Sequence, residues 1–245
     1  MSVTIVLPPL ATPVDRLWHA LLDLSERSTV PWSLVGGQMV LLHALEHGQV
    51  PPQISQDGDI VADIRADKRA LNELVGTLGH MGFDVDGISA EGLAHRYVHE
   101  SDGSRVVVDV LAPEGVGRRA DLTTTPPGRT LEMPGGTQAL ERTEEIAVEH
   151  EGRSGVIRRP NLTAAIVGKA AAVSLPSPAR HYRDLALLCA LIDDPFSMAA
   201  GFTRKDRQRI RSAVALMDAR HPAWPLVPTG IRTQGQLAFA VLSSG

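Results

Sequence analysis

Two short stretches constrain this chain more than anything else in it: Trp32-Ser-Leu-Val-Gly-Gly-Gln38 and, about twenty residues on, Ser55-Gln-Asp57-Gly-Asp59-Ile-Val61. The apolar run from Trp32 to Val35 is stopped by Gly36 and Gly37. It is followed by Gln38-Met-Val-Leu-Leu-His-Ala-Leu-Glu46, which has helix-forming composition. The reading is strand, glycine turn, helix. Glycine lets backbone N–H groups approach a ligand with no Cβ in the way, and a helix N-terminus favours negative charge. Gly36, Gly37, Gln38 and Ser55 are therefore candidate contacts for the phosphates of a nucleotide. If 57 to 61 is a strand, the period of two puts Asp57 and Asp59 on one face. Two adjacent carboxylates repel unless a cation lies between them, and hard oxygen ligands suit Mg²⁺ or Mn²⁺. A Gly-Gly alone is usually a turn and an Asp-x-Asp alone a solvated pair. Their order and spacing make the combination more specific than either part.

The rest of the chain supplies a frame around these stretches. Thr12-Pro13-Val-Asp15 reads as a helix start, with Thr12 as N-cap and Leu17, Trp18, Leu21, Leu22 and Leu24 at helical spacing up to about Arg27. Leu71, Leu74, Val75 and Leu78 predict another amphipathic helix over 67–78, and Phe83 to Val85 a short strand. His95 to Glu100 and Arg105 to Leu111 flank Ser-Asp-Gly-Ser and predict a β-hairpin. Residues 112–136 are rich in glycine and proline, which places the boundary between an N-terminal lobe, 1–115, and a C-terminal lobe, 116–245. Glu144 to Glu149 and Ser154 to Arg159 alternate around a Glu-Gly-Arg turn, a second hairpin. Beyond Pro160 the pattern is helical.

Three further charges stand out against apolar surroundings. Asp109 lies in Val106-Val-Val-Asp109-Val-Leu, a strand apolar enough to be buried on both faces, where a carboxylate needs a partner or a metal. The simplest partner would be an arginine such as Arg105. Lys169 is the one charge in the helix Asn161 to Val173, where a lysine often snorkels to water. Asp184 follows a break at Pro176-Ser-Pro178, with Ser177 as N-cap and Pro178 at N1. It could do no more than pair with Arg180 one turn earlier.

Gly-Gly, a helix, and then Ser-x-Asp-x-Asp resembles the polymerase-beta-like nucleotidyltransferase superfamily, and within it the AbiEii/MenT toxin branch. Lys169, a short turn and Arg-Asp184-Leu at the start of a leucine-rich helix resemble the second-lobe motif of those toxins. One departure is Gly58, where that branch carries an aliphatic residue. The resemblance covers residues from about 32 to 192. It implies a two-lobed α/β (α+β) fold, with an N-terminal mixed sheet flanked by helices and a mainly helical C-terminal lobe. It also implies a catalytic set of Asp57, Asp59, Asp109, Lys169 and Asp184. The three acids would hold Mg²⁺ or Mn²⁺, and Lys169 would neutralise the triphosphate of an NTP whose nucleotidyl group is transferred with release of pyrophosphate. The implied acceptor is RNA, the 3′ end of tRNA, and the implied biology a growth-inhibiting toxin restrained by an antitoxin.

Charge and composition set limits on partners. With 43% hydrophobic residues in 245, the chain can bury one large core or two modest ones. A formal net charge of −4 and a pI near 6.1 argue against coating nucleic acid by bulk charge. The local exception is Thr203-Arg-Lys-Asp206-Arg-Gln-Arg-Ile-Arg211, a helix with a Thr-x-x-Asp capping box and five basic residues in eight. Arg204, Arg207 and Arg211 form a stripe that could grip RNA phosphates or an acidic partner. Ile210, Val214 and Met217 would pack inward. The single cysteine, Cys189, lies in an apolar run, which fits a buried thiol in a reducing cytoplasm. No apolar run reaches about 18 residues and the N-terminus lacks a basic signal region, so no membrane partner is expected. His43 and His47 share a helix face and could bind a metal, but they read better as a surface pair. Two rival functions remain open: transfer to a small-molecule acceptor of the antibiotic-modifying kind, and a nucleotidyltransferase fold that binds a partner without catalysis.

Overall fold

The structure, a computed structural model, describes residues 4–101, 103–117 and 119–244. It is a mixed α/β protein that divides into two compact units, 1–39 with 54–160, and 40–53 with 161–245. The expected boundary near 115 is thus displaced to Pro160, and a short internal segment joins the second unit.

The first unit opens with β1 (Thr4–Val6), α1 (Thr12–Arg27) and β2 (Trp32–Val35). The helix starts one residue earlier than its sequence suggests, with Ala11 rather than Thr12 at the N-cap and Pro13 in the first turn. α2 (Gly36–Glu46) follows β2 directly and crosses the division between the units at Met39. Next come β3 (Asp57–Ala62), α3 (Ala70–His80), β4 (Asp84–Val85), β5 (Arg96–Ser101) and β6 (Ser104–Pro113). β5 and β6 form the expected hairpin, whose turn residue Asp102 lies outside the described residues. The glycine-rich stretch is not bare loop. It contains β7 (Thr123–Thr125), β8 (Gly128–Arg129), β9 (Glu132–Met133) and α4 (Gly136–Glu141).

The larger sheet runs β2-β3-β6-β5-β4, with β9 alongside the end of β6. β2 is antiparallel to β3, β3 parallel to β6, and β6 antiparallel to β5. The second hairpin, β10 (Thr143–His150) and β11 (Arg153–Pro160), turns at Glu151 and Gly152, both at positive φ, and β1 pairs in parallel with β10. That pairing explains the displaced boundary, because the N-terminal strand is stitched to residues 147–149. α1 reinforces it. A Cβ on Gly58 of β3 would lie 3.0 Å from Leu17, and one on Gly155 of β11 would lie 2.8 Å from Leu22, so one helix packs on strands from both sheets.

The second unit is helical apart from its connections. α5 (Leu162–Ala172) is capped by Asn161, whose side chain accepts from the Ala164 N–H at 3.0 Å. α6 (Pro178–Ala190), α7 (Pro195–Ala200), α8 (Arg204–Ser212) and α9 (Thr229–Ser243) complete it. Ser177 does not cap α6 with its side chain as expected. It sits at φ +61°, a left-handed turn into Pro178. α6 and α9 approach closely at Gly235, where a Cβ would lie 2.9 Å from Ala190. Cys189 is buried in this core and its thiol pKa is driven up by burial. Among the described residues no helix is long and apolar enough to cross a membrane.

Candidate active site

The site begins with the register of β3. Its exposure alternates from Asp57 to Asp59, half-buried acids flanking a buried Gly58, as the period of two requires. Asp59 lies opposite Asp109 of the parallel strand β6 and opposite Val35 of β2. Arg96 of β5 lies opposite Asp109 on its other side. One row across four strands therefore reads Val35, Asp59, Asp109, Arg96. Carboxylate oxygens of Asp57, Asp59 and Asp109 all come within 4.8 Å of one another. Gly58 does not disturb this. Its missing side chain is the space that Leu17 fills on the opposite face of the strand.

Asp109 is only 6% exposed, and its partner is not Arg105. Arg105 pairs with Asp86 at 2.6 Å. Arg96 instead holds Asp109 in a fork, Nε to Oδ1 and Nη2 to Oδ2, both at 2.8 Å, and lies 3.8 Å from Asp57. The hydrogen bond to Asp109 pushes the guanidinium pKa still higher, against the opposing effect of burial. Arg96 escaped the sequence reading, although counting back from the hairpin pair Ser101–Ser104 places it opposite Asp109.

One glycine is demanded by an acid and the other by the serine that holds an acid. Gly36 sits at φ +67°, and a Cβ there would lie 1.8 Å from Asp59 Oδ2. A Cβ on Gly37 would lie 2.4 Å from the Cβ of Ser55. Ser55 donates its hydroxyl to Asp57 Oδ1. Gln38, expected to touch the nucleotide, is fully buried and does something else. Its Nε2 donates to the Ser55 carbonyl at 2.6 Å, and its Oε1 accepts from Trp18 Nε1 at 3.0 Å. It is a brace that fixes Ser55, and through Ser55 the carboxylate of Asp57.

The second unit carries the other candidates. Lys169 does not snorkel. It is 7% exposed, and its Nζ donates to Asp184 Oδ2 at 2.7 Å. Asp184 pairs with Lys169 and, at 3.4 Å, with Arg183, rather than with Arg180. Arg183 also donates to Gln53. His181, which the sequence did not single out, is buried beside this pair. Burial, reinforced by the charges of Lys169 and Arg180, lowers its pKa to about 4. A neutral ring fits its contact, since Nε2 accepts from Arg180 Nε at 3.3 Å.

The basic helix is partly tied down. Its capping box forms, with Thr203 accepting from the Asp206 N–H at 3.2 Å and Asp206 from the Thr203 N–H at 2.9 Å. Arg204 and Arg211 are exposed, whereas Arg207 is half-buried and donates to the Ala199 carbonyl at 3.1 Å. Ile210 is buried as expected, but Val214 and Met217 are 60% and 49% exposed. The helix stops at Ser212, and a 3-10 turn over Val214–Met217 changes the helical phase. His43 also departs from expectation: it is buried, and only its carbonyl meets His47, whose Nδ1 lies 2.9 Å away.

No protein-family model matches the chain, and no curated protein matches it in sequence. Among solved structures it is similar to the antibiotic-resistance factor ANT(2'')-Ia, at 14% identity over 96% of this chain and 94% of that one, with a TM-score of 0.37. It is also similar to terminal uridylyl transferase 4 from Trypanosoma brucei with bound UTP, at 13% identity over 94% of this chain and 63% of that one, with a TM-score of 0.30.

Proposed function

We propose that the chain is a metal-dependent nucleotidyltransferase, moving a nucleotidyl group from an NTP to an acceptor hydroxyl and releasing pyrophosphate. The observation that carries this reading is the convergence of Asp57, Asp59 and Asp109 from two parallel strands to within 4.8 Å. The residues fit divalent cations. The donor set is all hard oxygen, and a guanidinium already lies against Asp109 and near Asp57, so positive charge is accommodated there. Asp57 and Asp59 would hold two Mg²⁺ or Mn²⁺ ions, with Asp109 completing the shell of one. Such ions, when bound, lower the pKa of an acceptor hydroxyl and offset triphosphate charge.

The chain's own groups supply the rest. Ser55 and Gln38 hold Asp57 in orientation, and Gly36 keeps space for Asp59. Arg96 neutralises Asp109 until a cation does so, and Asp109 is the candidate base for the acceptor proton. Lys169, its ammonium oriented by Asp184, would neutralise triphosphate oxygens. RNA, in particular the tRNA 3′ end, is the acceptor proposed on the AbiEii/MenT resemblance, which also underlies the roles of toxin and antitoxin. The exposed cations Arg204 and Arg211 support an RNA acceptor.

Incubation with each labelled NTP, Mg²⁺ and total RNA tests this. Label should enter RNA from one NTP and fail to do so with Asp59→Ala. Label entering a small hydroxylated acceptor instead would replace the RNA reading. Equal thermal stabilisation by Mg²⁺-NTP in wild type and Asp59→Ala, without transfer, would leave a non-catalytic binder.

A further inference from the structure

A second cluster, outside the acid row, has different chemistry. Asp15 and His19 lie one turn apart on α1, and His150 and Glu151 close β10 and begin its turn. One ligand atom from each lies within 4.8 Å of all the others. His150 Nε2 is 2.8 Å from Asp15 Oδ1, His19 Nε2 is 3.4 Å from Glu151 Oε2, and His19 Nε2 is 3.9 Å from Asp15 Oδ1. Ligand bonds of about 2.0–2.2 Å in a tetrahedral zinc site place neighbouring donors about 3.4 Å apart. The observed separations bracket that value. His150 is 1% exposed, and its Nε2 faces the cluster.

The geometry points to a zinc-class site built by Asp15, His19, His150 and Glu151, one that takes a borderline transition-metal dication and clasps α1 to the β10–β11 turn. Two imidazoles and two carboxylates favour Zn²⁺ over Mg²⁺, which prefers oxygen ligands and retains its water. The ligands are separated by more than 130 residues of sequence, from Asp15 to His150. The ion would therefore tie the N-terminal helix to the hairpin that pairs with β1. It would act on the fold and take no part in nucleotidyl transfer.

The test uses the full chain stripped with a chelator and titrated with Zn²⁺ in excess Mg²⁺. One Zn²⁺ should bind per chain and raise the unfolding temperature, and Co²⁺ in its place should give the intense visible bands of tetrahedral coordination. His19→Ala should weaken Zn²⁺ binding by at least about tenfold. Glu151→Gln, at an exposed turn, should weaken it while leaving the unfolding temperature without metal unchanged. Asp59→Ala should bind Zn²⁺ as the wild type does. Three results would each overturn the site: no saturable Zn²⁺ binding, equal affinity in His19→Ala and wild type, or loss of binding in Asp59→Ala. The last would place the metal at the acid row instead.

Discussion

Arg96 is the residue on which the acid row depends in the absence of a bound cation. Replacing it with methionine leaves Asp109 buried without its partner, and should cost about 1–3 kcal/mol of stability, reduced from the fully buried case because the guanidinium is half-exposed. Added Mg²⁺ or Mn²⁺ should restore more of that stability in Arg96→Met than it adds to the wild type. Identical metal effects in the two thermal melts would show that the acids hold no cation. Lys169 and Asp184 form a more deeply buried pair, so Lys169→Ala alone should destabilise by roughly 3 kcal/mol, mixing a stability loss with any loss of chemistry. The double variant Lys169→Met, Asp184→Leu removes both charges and should fold with near-wild-type stability. Transfer by that variant at the wild-type rate would remove the pair from the catalytic set. His181 gives a pH prediction. Its folded pKa of about 4 lies below the usual 6.5, so an unfolded ring takes up a proton that the folded ring refuses. Its contribution is fully present above about pH 6.5 and is lost as the pH falls toward 4, by on the order of 2 kcal/mol. Denaturant melts of His181→Gln should be flatter across that window.

At the scale of elements, the two glycine sites differ in kind. Gly36 combines a left-handed φ with direct proximity to Asp59, so Gly36→Ala should cost about 1–2 kcal/mol and displace the carboxylate, lowering transfer more than tenfold. Gly58 faces Leu17 across an ordinary strand conformation, so Gly58→Val should overpack α1 by about 1–3 kcal/mol while leaving metal affinity at the acids nearly intact. Weakened metal binding in a folded Gly58→Val would show that α1 sets the carboxylates as well. In α8 the side chain of Arg207 is half-buried and engaged by α7, and Arg204 and Arg211 are the exposed cations to neutralise. Arg204→Gln with Arg211→Gln should weaken RNA binding and lower the salt slope by about one unit per lost phosphate contact, with NTP affinity unchanged. An unaltered salt slope would return the stripe to a solvated face.

For the whole molecule, the division at Pro160 predicts that a fragment 1–115, cut where the glycine-rich stretch begins, fails to fold cooperatively. It lacks β10, which pairs with β1, and β11, which pairs with β10 and packs under α1. A cooperative melt of that fragment would contradict this account of the core. Local sequence determined much of what surrounds the site. The glycine pair and the alternation of Asp57 and Asp59 need only neighbouring residues, and so do both hairpins and the capping box of α8. What the sequence could not decide were pairings over long separations. These include Gln38 as a brace between Trp18 and Ser55, and residues 40–53 as part of the helical unit. The physical reason is the same each time: backbone periodicity says which way a side chain points from its own element, but the groups it meets come from elements that only tertiary packing brings alongside.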